Sequence, residues 1–212
     1  MPDYIYQLSV GISLLALFIS ILTAWFTFFH AGELKATHPT VVFFGPDGVR
    51  FEGDTNKVYL RTLLYSTSKK GHVIESMYVS LSRNESKQNF NVWTYGSKEK
   101  LERGSGLYVP QDGVAFDHHF LLPKDGANFE FLSGSYELKL YARIVGRTES
   151  SELLSIGLIV SDALAHKNSS GQAGIYFDWG SDNQKYHSHC IDKKSQNNQV
   201  EELALKIFEE IS

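Results

Sequence analysis

The chain has 212 residues, with 20 basic and 24 acidic side chains, a net charge of −4, 42% hydrophobic residues and a single cysteine. Setting aside Asp3 and the charged residues of 200–212 (Lys206 against Glu201, Glu202, Glu209 and Glu210), residues 4–199 hold 19 of each sign. No basic excess remains to neutralise phosphates, so no nucleic-acid partner is expected.

From Tyr4 to Gly32 no side chain is charged. The run from Ile5 to Phe29 would be about 37 Å long as a helix, enough to cross a hydrocarbon core of about 30 Å with some tilt. A cleaved signal peptide is the competing reading. The chain opens Met1-Pro2-Asp3 without a basic residue, and the apolar run ends in bulky Trp25, Phe26, Phe28 and Phe29 where a peptidase needs small side chains. A retained transmembrane helix is therefore expected, with Tyr4 and Tyr6 at one interface and Trp25, Phe28 and His30 at the other. Ala16, Ser20 and Ala24 recur every four residues, and Ser9 and Ser13 extend the row, a spacing that lets two such helices approach closely. The flanking basic residues, Lys35 and Arg50, follow the span, which favours a cytoplasmic domain. Cys190 alone forbids an internal disulfide and agrees with that side. Asn84-Glu85-Ser86 and Asn168-Ser169-Ser170 match glycosylation triplets, a weak pattern that would point the other way.

After residue 40 the hydrophobic period becomes that of strands. Alternation predicts strands over 58–65, 73–82 and 136–144, with further candidates at 40–44, 88–95, 113–122, 153–161 and 173–179. Turn signals separate them, among them Gly45-Pro46-Asp47-Gly48, Lys69-Lys70-Gly71 and Val145-Gly146. No amphipathic helix interrupts this series, so the class is mainly β, an antiparallel sandwich over 33–192 behind an anchor over 1–32. The segment Leu132-Ser133-Gly134-Ser135-Tyr136-Glu137-Leu138 resembles the tyrosine corner of immunoglobulin-like and fibronectin-like sandwiches. That resemblance covers about 30 residues and implies a Tyr136 hydroxyl turned back onto the preceding corner. It also implies that 135–145 and 152–161 are the last two strands. A polar linker from 193 leads to a short C-terminal amphipathic helix, whose stripe of Leu203, Ile207, Phe208 and Ile211 needs a surface to cover it, either its own sandwich or a partner protein.

Candidate chemistry is sparse. His187 and His189 would share one face of a strand. Cys190, Asp178 or Asp182 could complete a zinc or copper site, although Cys190 is adjacent to His189 and should face the other way. Asp117-His118-His119 lies between Phe116 and Phe120, with His118 on their inward face. If that strand ran beside 185–190, four histidines would converge. No phosphate-cradling glycine loop and no strand–turn–helix nucleophile elbow occur, and no cofactor is expected. The sequence therefore reads as a non-enzymatic, single-pass membrane protein that binds a protein partner or associates with itself. The rivals are a metal-dependent sensor or hydrolase built on His187, His189 and Cys190, and an extracytoplasmic adhesion or envelope module.

Overall fold

The computed structural model describes residues 3–29, 31–47, 56–97, 100–123, 129–169 and 173–192. The leading helix, α1, spans Asp3–Ala24 and buries none of its residues. It continues into a π-helical turn, Trp25–Phe29, in which the rings of Trp25 and Phe29 stack at 5.4 Å. The apolar helix over Asp3–Thr27 has a mean hydropathy of 2.1 and is long and apolar enough to cross a membrane. Its hydroxyls bond back to the preceding turn, Ser13 to the Ser9 carbonyl at 2.9 Å, Ser20 to Ala16 at 2.8 Å and Thr23 to Ile19 at 2.8 Å. Such back-bonds give these hydroxyls a partner in an apolar surrounding.

Two antiparallel sheets follow. The larger takes β1 (Leu34–Ala36), β2 (Val41–Pro46), β3 (Asn56–Ser66), β6 (Val92–Gly96), β7 (Leu101–Arg103), β9 (Val114–Leu121), β12 (Ala173–Gly180) and β13 (Lys185–Asp192). Its order is β13-β12-β2-β3-β9-β6-β7, with β1 on the flank of β3. The smaller takes β4 (His72–Arg83), β5 (Ser86–Phe90), β8 (Leu107–Val109), β10 (Gly134–Ile144) and β11 (Ser150–Val160), ordered β11-β10-β4-β5 with β8 on β4. Alternation explains the layers. Val58, Leu60, Thr62 and Leu64 of β3 point inward, as do Leu138, Leu140 and Ala142 of β10, and one core cluster joins both sheets. Phe44 lies at its centre, stacked on Phe131 at 4.7 Å and edge-on to Phe177 and Tyr136. Burying such a ring contributes about 1.5–3 kcal/mol. The Tyr136 hydroxyl donates to the Leu132 carbonyl at 2.7 Å, the bond implied by the corner motif.

Three expectations change. The run 88–95 is not one strand; it breaks at Asn91, leaving β5 in one sheet and β6 in the other. The β10–β11 hairpin forms, but it is not the final pair, because β12 and β13 follow it on the larger sheet. A helix does interrupt the strands: α2, Asp162–Ser169, starts behind Ser161, whose hydroxyl accepts from the Leu164 amide at 3.4 Å. Asn168, in one of the two glycosylation triplets, is buried and donates its amide to the Ala173 carbonyl at 3.0 Å, so it serves packing. The predicted C-terminal helix, with Leu203, Ile207, Phe208 and Ile211, lies outside the described residues.

Candidate functional site

The structure separates the residues proposed for a metal. On β13, His187 pairs with Asp178 and His189 with Tyr176, both directed outward, whereas Cys190 pairs with Ile175 and packs against the core. The His187 ring meets the Asn183 amide at 3.0 Å, and His189 Nδ1 lies 3.4 Å from the Asp178 carboxylate. Asp182 sits in the exposed β12–β13 turn. The strand with His118 and His119 is β9, separated from β13 by β12, β2 and β3, so the four-histidine convergence does not occur. Among the described residues no three His, Cys, Asp or Glu side chains are arranged to hold a metal ion.

His118 is a core residue, fully buried as its position between Phe116 and Phe120 predicted. Its Nδ1 accepts from the Trp93 indole at 3.2 Å, so its proton sits on Nε2, which has no hydrogen-bond partner among the described residues. Burial, with a smaller push from His119, lowers its pKa to about 3. Ala16, Ser20 and Ala24 lie exposed on α1.

What strand register assembles, and the sequence did not announce, is a row of rings across the outer face of the larger sheet. Each residue pairs with the next: His189 with Tyr176, Tyr176 with Phe43, Phe43 with Tyr59, and Tyr59 with His119. Ring centroids are 5.6 Å apart for Tyr176–His189, 4.8 Å for Phe43–Tyr176 and 4.9 Å for Tyr59–His119. All five side chains are half-buried. Glycine makes this possible at two positions: a Cβ on Gly174 would lie 2.0 Å from the Phe43 ring and one on Gly45 2.7 Å from it. One register step along the strands, Asp178, Val41, Arg61 and Asp117 form a second, more polar row. The Asp117 carboxylate, 8% exposed, accepts from the Tyr59 hydroxyl at 3.0 Å and pairs with Arg61 at 3.3 Å. Burial, followed by the charge of Asp117, holds the Tyr59 phenol well above its ordinary pKa, so it stays a donor. The face thus offers flat π surfaces beside a fixed carboxylate and guanidinium, a chemistry of stacking and hydrogen bonding. One signal was available: Phe43, Tyr59 and Tyr176 occupy strand positions that alternate with core residues, where polar side chains are usual.

Set against protein-family models, curated proteins and solved structures, the chain matches none of them.

Proposed function

We propose that the protein is a single-pass, membrane-anchored binding module, with no catalytic role, whose outer aromatic face engages a protein partner. The row from His189 to His119 carries this reading. Half-exposed aromatic side chains next to an arginine are the composition of interface hot spots, and a continuous row of them is larger than scattered surface rings require. The apolar helix supports the anchor, since it shows no polar side and buries nothing against the domain. The corner bond of Tyr136 supports an immunoglobulin-like sandwich. The cytoplasmic side is favoured by Lys35 and Arg50, the basic residues that follow the span.

The test is site-specific photo-crosslinking of the full chain in native membranes, with benzoylphenylalanine at Tyr176 or, on the other sheet, at Tyr141. The expected result is a discrete protein adduct from position 176, reduced by Tyr59→Ala, and none from position 141. Equal adducts from both faces, or none from 176, overturn the reading. A second contact is favoured by the small-residue row: Ser20 folds its hydroxyl onto the Ala16 carbonyl, leaving a smooth strip with Ala24 for helix self-association. Crosslinked oligomers that persist in Ser20→Ile would remove it.

A further inference from the structure

Between the last turns of α1 and the helix-proximal end of the β domain lies a cleft of about 450 Å³. We propose that it holds the headgroup end of an anionic phospholipid, an inference that rests on the membrane-anchored reading above. One wall belongs to the end of the helix and is mostly apolar, with Ile19, Leu22 and Phe26 beside Thr23 and Thr27. The other is polar and belongs to the domain, with Ser68, Lys69 and Gln111.

The depth of the cleft follows from chain geometry. Residues 3–22 of the helix cover about 30 Å, the full hydrocarbon thickness. The stacked rings of Trp25 and Phe29 then fall at the interface, where tryptophan is favoured. The domain is held close to that level. Gly32 adopts φ +64°, and a Cβ there would meet Ser68 at 2.6 Å. The Glu33 amide donates to the Thr67 hydroxyl at 2.7 Å, and the Thr67 amide donates to the Glu33 carbonyl at 2.9 Å. The β3–β4 turn is thus fastened to the chain just three residues beyond the π-turn, and its side chains meet the headgroup layer.

Charge selects the ligand. Lys35 is already answered by Glu33 at 2.7 Å, whereas Lys69 makes no ion pair among the described residues. An ammonium at the rim of an apolar wall matches a phosphate with an acyl chain below it. The chain lies along Ile19, Leu22 and Phe26, and the phosphate takes Lys69, with the Gln111 amide beside it. A free phosphate would leave the apolar wall uncovered.

Native mass spectrometry of the full chain, released from nanodiscs of mixed phosphatidylserine and phosphatidylcholine, tests this. The expected result is one retained phosphatidylserine, favoured over phosphatidylcholine about fivefold, the worth of one lysine at an anionic surface. The preference should vanish in Lys69→Gln and persist in Lys139→Gln and in excess inorganic phosphate. Equal retention of both lipids, an unchanged preference in Lys69→Gln, or displacement by inorganic phosphate overturns the proposal. Each of those outcomes leaves the anchor intact, while failure of the chain to enter nanodiscs defeats the anchor itself.

Discussion

The two outer faces of the β domain are built on the same pleat and made of different materials. On the smaller sheet, cross-strand neighbours form ion pairs: Arg143 with Glu75 at 2.6 Å and Lys139 with Glu152 at 3.9 Å. Its stacked tyrosines, Tyr78 and Tyr141 at 4.9 Å, are tied into the same network by a Tyr141 bond to Glu152 at 3.1 Å. Water covers such a face at little cost, and each exposed pair contributes little. On the larger sheet the equivalent positions hold aromatic and imidazole rings, with one nearly buried carboxylate fixed beside them. Cross-strand rings do stabilise a sheet, by roughly 0.2–1 kcal/mol a pair. Stability alone, however, does not explain why one face has them aligned in register across five strands and the other relies on charge. The difference is the ground on which the larger sheet is proposed as the binding face.

The comparison presumes one core beneath both faces, and this can be broken first. Phe44→Ala should cost about 3–5 kcal/mol, read by denaturant unfolding of the full chain in detergent with both faces losing structure together. A cost below about 1 kcal/mol would mean that Phe44 does not join the sheets.

The pH dependence of stability is next in size and comes chiefly from the larger sheet. His118 has a folded pKa of about 3 against an ordinary 6.5. Below 6.5 the unfolded chain takes up a proton that the folded chain refuses, so acidification favours unfolding by about 1.4 kcal/mol per pH unit until the folded pKa is reached. His72, lowered mainly by burial, adds to the same slope. His118→Gln keeps an acceptor for Trp93 and does not titrate, so unfolding between pH 6.5 and 4 should show a flatter slope. An unchanged slope would contradict the burial of His118.

Gly174→Ala sharpens the contrast between the faces. The new methyl displaces the Phe43 ring, which can swing outward, so the cost should be about 1 kcal/mol while the crosslink from position 176 is lost. Retention of that crosslink would show that the row need not be continuous. Arg143→Ala, on the other face, should cost less than about 1 kcal/mol and leave the crosslink unchanged.

Much of the architecture could be read from the sequence because it is written in local period. The apolar run gave the helix to within two residues at its start, β3, β4 and β10 fall on their predicted segments within two residues, and β11 begins three residues before its own. What was missed has no period to show. The strands β1, β7 and β8 have three residues each, and α2 has eight, too short for a helical stripe. The break at Asn91 was hidden because Phe90 and Trp93 both read as strand, although they serve different sheets. The aromatic row was the least legible feature. Its members come from five strands scattered between Phe43 and His189, and only register brings them together. The opposite facing of Cys190 and His189, by contrast, followed from their adjacency on one strand and was legible in the sequence.

Alkaline carbonate extraction of membranes from cells expressing the full chain tests the foundation of this account most directly. The protein should remain in the membrane pellet, because an uncharged helix of this length has no soluble surface to bury against. Quantitative release into the supernatant would contradict the anchor, and with it the placement of the aromatic face beside a bilayer.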